Sequence, residues 1–384
     1  MENFTFYNPV RIHFGRGQIA TLKNEIPLDK RILLTYGGGS IKKNGVYTQV
    51  KTALNGHTVC EFGGIEPNPR YETLMQAVAL IKEHNLNFIL AVGGGSVVDG
   101  TKFIAAAASF PGEPWDILTQ HAPINSAVPF GCVLTLPGTG SEMNCGAVIS
   151  RKNTKDKLVF IHPLVFPQFS ILDPTTTFSL PPNQTANGIV DAFVHVIEQY
   201  LTYPVNSPLQ DRFAEGILQT LIEEAPKVMR NPEDYAARSN IMWCATLALN
   251  NLIGCGVPND WATHLIGHWL TAGYGLDHAV TLAILLPSVL NHQRAQKREK
   301  LLQYATRVWN VINPNPEERI DAAIFKTREF FENLGLVTHL SNYKIGEEAI
   351  AFVTKKLNEH KQITLGERGD INLEVVEKIM RTSL

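Results

Sequence analysis

The chain has 384 residues, enough for about two domains and a large buried core. Lys plus Arg number 34 against 36 for Asp plus Glu, a formal net charge of −2, so no chain-wide basic field directs the protein to nucleic acid or acidic lipid. Five scattered cysteines, Cys60, Cys132, Cys145, Cys244 and Cys255, form no CxxC pair and suit buried thiols in a reducing compartment better than a disulfide framework.

The first stretch, "MENFTFYNPVRIHFGRG", carries neither a secretory nor a transit pattern. Within it "VRIHFGRG" alternates as a strand does, and an open strand edge invites pairing with a second copy. The apolar runs "NFILAV" and "TLAILLPSVL" are well short of the ~20 residues that span a bilayer. A soluble, cytoplasmic chain is expected, with no membrane and no nucleic acid among its partners.

Up to about residue 180 short apolar runs end in glycine and are followed by helical patterns: "RILLTY" before "GGGS", "FILAV" before "GGGS", "FGCVLTLP" before "GTGS". Continuous apolar strands bounded by glycines predict a parallel sheet covered on both faces. Residues 1–180 are therefore predicted to form an α/β domain. Gly93, Gly94, Gly95 and Ser96 of "AVGGGSVVDGTK" stand where a strand hands over to a helix, so their backbone can approach a phosphate at the helix N-terminus. The spacing is not GxGxxG, and a plain turn is the competing reading. In "TYGGGSIKKNG" the strand ends without the carboxylate that commonly accepts the ribose 2′-hydroxyl of NAD. Gly37, Gly38, Gly39 and Ser40, followed by Lys42 and Lys43, offer room, a donor and positive charge, which favours NADP.

Beyond Pro181 and Pro182 the period turns helical, as in "RFAEGILQTLIEEAPKVM", "SNIMWCATLALNNLIG" and "ERIDAAIFKTREFFENLG", so residues 181–384 are predicted to be all-helical. The basic run "HQRAQKREKLLQYATRVW" reads as a solvated helix face. In "VDAFVHVIEQY" Asp191 and His195 lie four apart, on one helical face, either as a hydrogen-bonded core pair or as ligands to one ion. Farther on, "WATHLIGHWLTAGYGLDHAV" holds His264, His268 and His278, a concentration among 12 histidines for which a divalent cation is the simplest common cause. Glu198 shares the face of Asp191 and either orients a ligand or merely packs. Asn144, Trp261 and Trp269 line a pocket or belong to the core.

The ordered set "IEPNP", "GGGSVVDGTK", "GTGSE", "LDP" before "LPP", "GIVDAFVHVIEQY" and the His264 to His278 segment resembles the iron-activated alcohol dehydrogenases, and among them the bacterial NADPH-dependent aldehyde reductase and butanol dehydrogenase branch. The resemblance runs over essentially the whole chain. It implies an N-terminal nucleotide-binding α/β domain with a parallel sheet and an all-helical C-terminal domain, the fold shared with dehydroquinate synthase. It implies one divalent ion, zinc or ferrous iron, held by Asp191, His195, His264 and His278, with His268 as proton relay. For NADP(H) it implies contacts from Gly37, Gly38, Gly39, Ser40, Asn68, Gly94, Gly95, Ser96, Asp99, Thr135, Thr139, Ser141 and Lys157. The implied activity is hydride transfer between NADP(H) and small aldehydes or primary alcohols, chiefly aldehyde reduction, in a homodimer. Two departures stand out: "LTLPGTGSE" replaces the commoner "PTTAGTGSE", and Ala279 replaces a glycine after the last ligand. A polyol dehydrogenase that uses NAD and a synthase-type lyase are the competing members of the superfamily. The lyase would need a basic cluster for an acidic substrate, and none surrounds these ligands.

Overall fold

A computed structural model describes all 384 residues. The chain divides into two compact units: Tyr7–Leu180 with Pro232–Thr246, and Met1–Phe6 with Pro181–Asn231 and Leu247–Leu384. No helix is long and apolar enough to cross a membrane.

The first unit is built on eight strands: β1 (Arg11–Phe14), β2 (Arg31–Tyr36), β3 (Thr58–Phe62), β4 (Phe88–Gly94), β5 (Phe130–Leu136), β6 (Gly146–Arg151), β7 (Asp156–Ile161) and β8 (Phe169–Leu172). Six of them form one sheet in the order β1-β8-β5-β4-β2-β3, every neighbouring pair parallel. The other two, β6 and β7, form an antiparallel hairpin. Alternate residues explain why the sheet is stable. Ile32, Leu34 and Tyr36 with Phe88, Leu90, Val92, Val133, Phe169 and Ile171 belong to one buried cluster. The intervening Leu33, Thr35, Ile89, Ala91, Cys132 and Leu134 are buried as well. Both faces are thus covered, as the continuous apolar runs require, and each large aliphatic removed from water contributes roughly 1.5–3 kcal/mol.

The strand order also fixes where a ligand can enter. From β2 the chain goes outward to β3 and then returns to the other side of β2 as β4, so neighbouring connections leave β2 and β4 in opposite directions. A crevice opens at such a switch point, beyond the carboxyl ends of the strands. The glycine runs after β2 and β4 lie at that end.

The second unit is helical, as expected, apart from a two-residue strand pair, β9 (Thr364–Leu365) with β10 (Ile371–Asn372). Its leading helix, Pro182–Tyr200, starts with proline at the first position, where the absent N–H costs nothing. Every residue from Gly188 to Tyr200 is buried, which explains why the segment reads as apolar all round except at its functional positions. Four of the five cysteines are buried and all are free thiols.

One sequence expectation fails in part. The basic run around residue 297 is a solvated face only in part: Arg298 and Arg307 are exposed, but Lys297 and Lys300 are 3% and 6% exposed. The Lys297 ammonium lies 2.7 Å from both Asp260 and Glu367, and Lys300 pairs with Asp211. Local amphipathicity gave no sign of these distant acidic partners.

Candidate functional site

In the helical unit, two helices and the start of a third bring the expected ligands together. Asp191 and His195 come from the helix Pro182–Tyr200, His264 and His268 from Ala262–Tyr274, and His278 opens His278–His292. The last two helices cross closely at Gly267, where a Cβ would meet Thr281 Oγ1 at 2.6 Å, and this approach carries His278 toward His264. Asp191 Oδ1 lies 3.8 Å from His195 Nε2, 3.9 Å from His264 Nε2 and 3.7 Å from His278 Nε2. Donor atoms of Asp191, His195 and His264 all fall within 4.8 Å of one another. Ligand bonds of roughly 2.0–2.2 Å place tetrahedral donors ~3.3–3.6 Å apart, so these three stand near the spacing one ion needs, while His278 lies outside that group and approaches it through Asp191. The donor chemistry fits as well: three imidazoles and one carboxylate leave a divalent cation with net positive charge. The rings of His195 and His264 stack at 4.5 Å and 18°. His268 lies beside the set, its ring 5.2 Å from that of His278.

Glu198 resolves in favour of an orienting role. Its Oε1 accepts the Thr263 N–H at 2.6 Å, and Oε2 accepts from His264 Nδ1. With Nδ1 committed as donor, Nε2 is the nitrogen left to bind metal. Burial and the neighbouring Asp260 carboxylate push the Glu198 carboxyl well above the ordinary carboxylate value. For Glu198→Gln the expected result is a fall in metal affinity of about 10–100-fold, read by competition with a chelator. Unchanged affinity would reduce this contact to packing.

The aromatic candidates separate. Trp269 is core: it is 1% exposed, stacks on His360 at 4.8 Å and donates its indole N–H to Gln362. Trp261 is half-buried and edge-on to two of the imidazoles, 5.5 Å from His264 and 6.3 Å from His195. Its backbone is left-handed, φ 63°, a conformation that costs a bulky residue roughly 1–3 kcal/mol.

In the α/β unit β4 passes into the helix Gly95–Ala107 without a loop. Gly95 permits this, since a Cβ there would meet Thr139 Oγ1 at 2.3 Å. The "GGGS" and "GTGS" segments are consequently in contact. Ser96 Oγ accepts the Asn68 N–H at 3.3 Å, and Lys157 Nζ donates to Asn68 Oδ1 at 2.9 Å. Ser141 Oγ donates to Asp99 Oδ1 at 2.5 Å, and Val148 N–H to Asp99 Oδ2 at 2.9 Å. Asp99 therefore braces the second loop from within, its carboxyl held above the ordinary value by burial. Behind it Lys102, lowered by burial to about 8, donates to Asn144 Oδ1 and the Gly146 carbonyl. Asn144 in turn donates to the Gly140 carbonyl at 2.9 Å, so it supports the loop and is not a pocket wall. Of the two lysines after the first glycine run, Lys42 is already engaged. Its ammonium lies 3.4 Å from Glu61 and over the rings of Tyr36 and Tyr47, although it is exposed, as Lys43 is.

Residues 9–174 match the family model for iron-containing alcohol dehydrogenase, and residues 185–384 match the C-terminal model of the Fe-containing alcohol dehydrogenase family. The chain belongs to the iron-containing alcohol dehydrogenase family. It is 60% identical over 382 residues, 99% of each chain, to the NADPH-dependent aldehyde reductase YqhD of Escherichia coli K12. Over 389 residues, the whole of both chains, it is 45% identical to the probable NADH-dependent butanol dehydrogenase 1 of Bacillus subtilis. The crystal structure of E. coli K-12 YqhD superposes with a TM-score of 0.99 at 59% identity, covering 100% of this chain and 99% of that one. The NADH-dependent butanol dehydrogenase A of Thermotoga maritima gives 0.95 at 35% identity, again covering 100% and 99%. The family, its branch and the fold expected from the motifs are thereby borne out.

Proposed function

We propose that this family member reduces small aldehydes to primary alcohols with NADPH, using one divalent ion, zinc or ferrous iron, held by Asp191, His195, His264 and His278. The observation that supports the reading is the approach of three imidazole Nε2 atoms, from His195, His264 and His278, to within 3.7–3.9 Å of one carboxylate oxygen of Asp191. It is supported by 60% identity, over nearly the full length, to an NADPH-dependent aldehyde reductase. When bound, the ion supplies Lewis-acid polarisation of a carbonyl oxygen and the reduced nicotinamide supplies the hydride.

The chain's own residues do the rest. Glu198 fixes the His264 tautomer, and Asp191 lowers the site's positive charge without the draining effect of thiolates. His268, outside the ligand set, holds the proton required by the alkoxide. Gly94, Gly95 and Ser96 present the first amides of the helix Gly95–Ala107 to the cofactor's phosphates. Gly37, Gly38, Gly39 and Ser40 receive the adenosine ribose, with Lys43 as an exposed cation beside a 2′-phosphate. Asn68 and Lys157, already joined to each other and to Ser96, continue that lining with Thr135, Thr139 and Ser141, and Asp99 holds Ser141 in place.

The decisive assay follows oxidation of NADPH and NADH by metal-loaded protein with a series of aldehydes. NADPH is expected to be preferred by at least about tenfold in kcat/KM, and equal use of both would overturn the cofactor assignment. Cytoplasmic residence is consistent with five free thiols. A homodimer is proposed because β1 is an edge strand, paired on one side only with β8. Light scattering at micromolar concentration should give twice the chain mass, and a monomer mass refutes pairing.

A further inference from the structure

Trp261 occupies a backbone conformation that glycine or asparagine adopts without difficulty and a bulky residue avoids. The surroundings hold it there from both sides. Asp260 N–H donates to the Glu198 carbonyl at 2.8 Å, Asp260 Oδ1 accepts the Ala262 N–H at 2.8 Å, and the Trp261 carbonyl accepts the Leu265 N–H at 3.0 Å. Asp260 is itself fixed by the buried Lys297. The three ammonium donors of Lys297 have three acceptors at 2.7 Å: Asp260 Oδ2, Glu367 Oε2 and the Leu201 carbonyl. Burial opposes the charge on Lys297, but the Asp260 and Glu367 carboxylates outweigh it and hold the ammonium above its ordinary value.

The strain has a consequence for the ring. In the left-handed conformation the indole stands edge-on against His264 and His195, at 77° and 65° to their planes. Ordinary helical or extended backbone would turn it elsewhere. The residue remains half-buried, so it packs against the imidazoles without being enclosed as a core side chain would be. Trp269 cannot share this role, being fully enclosed against His360.

We infer that Trp261 is a specificity-determining residue: its rigid ring bounds the space beside His195 and His264 and restricts the site to narrow, unbranched aldehydes. The inference rests on the metal-dependent aldehyde reduction proposed above. It adds that the barrier is one side chain on a fixed backbone rather than a mobile loop.

Trp261→Gly and Trp261→Asn both suit a φ of 63°, so the backbone is retained while the ring is lost. With metal-loaded protein, kcat/KM for 2-methylpropanal and benzaldehyde relative to butanal is expected to rise by about tenfold or more in both variants. Trp261→Phe should keep most of the discrimination. A second readout needs no turnover. Cobalt(II) titrated into metal-free protein should quench tryptophan fluorescence, and the quenched fraction should fall by about half or more in Trp261→Gly, because the indole within contact of two ligand rings is gone. An unchanged aldehyde ratio in variants that bind metal normally, or an unchanged quench, overturns the role of Trp261. A metal-loaded wild type inert toward butanal with NADPH overturns the aldehyde-reductase reading itself and is recognised before any variant is made.

Discussion

Replacing His264 with Ala is expected to abolish metal binding and activity together while leaving the fold intact. His264 is the hub of the centre: it stacks on His195, faces Asp191 and receives its orientation from Glu198. Alanine removes one proposed ligand and also leaves a buried Glu198 oxygen without its donor, a penalty of about 1–3 kcal/mol. A domain stable by about 5–15 kcal/mol survives that loss. The metal's contribution to polarising a carbonyl is several kcal/mol, so kcat/KM should fall by at least about 10³-fold. Elemental analysis should show metal falling from about one ion per chain to under about a tenth, with the far-ultraviolet dichroism of the wild type preserved. A variant that keeps its full complement of metal sinks the assignment, whatever its activity.

The second large effect is expected at the other end of the cofactor. Gly38 is not in the left-handed region, and a Cβ there would meet nothing within 4 Å, so Gly38→Asp introduces a carboxylate without steric penalty. Any change in kinetics then reports charge. A 2′-phosphate carries nearly two negative charges at neutral pH. A carboxylate a few ångströms away at an effective dielectric near that of a protein surface should raise the KM for NADPH by about 10–100-fold. The KM for NADH should move by less than about threefold, since the repulsion exists only with the phosphorylated cofactor. Equal weakening of both would mean that the loop after β2 does not hold the adenosine ribose. The contrast matters because the relative at 60% identity is an NADPH-dependent aldehyde reductase and the one at 45% a probable NADH-dependent butanol dehydrogenase.

The legibility of this protein in its sequence divides along physical lines. The four-residue spacing of Asp191 and His195, and of His264 and His268, is readable because helical periodicity alone puts each pair on one face. Parallel strands buried on both faces are readable for the same reason, since each is a continuous apolar run ending in glycine. What the sequence conceals depends on contacts far along the chain. Lys297 and Lys300 look like solvated helix charges because their acidic partners are 70 and 89 residues away at Glu367 and Asp211. Trp261 and Trp269 stand in the same apolar segment with nothing local to distinguish them, yet one has a strained backbone beside His195 and His264 and the other is ordinary core. Glu198 shares a face with Asp191 by spacing, but only the approach of the helix Ala262–Tyr274 makes it the acceptor for His264. The order of the strands, which places the first two glycine runs at one switch point, is likewise a tertiary property.

The segment Pro232–Thr246, which belongs to the α/β unit although it follows the first helices of the other, bears on how the protein is made. It supplies Trp243, whose ring lies 5.9 Å from Phe14, the Tyr235 hydroxyl that accepts the Arg16 N–H, and Thr246, which donates to the buried Glu142. On a ribosome adding ~5–20 residues per second, the last β-strand of the large sheet emerges roughly 4–15 s before Thr246 does. During that interval Phe14 and the Glu142 carboxyl await their partners, so the N-terminal unit completes its folding only after part of the second has been synthesised. A gene cut at residue 180 would deliver the sheet without this segment, and recombination between relatives at that point would succeed only where the substituted Trp243 and Thr246 still fit the sheet they inherit.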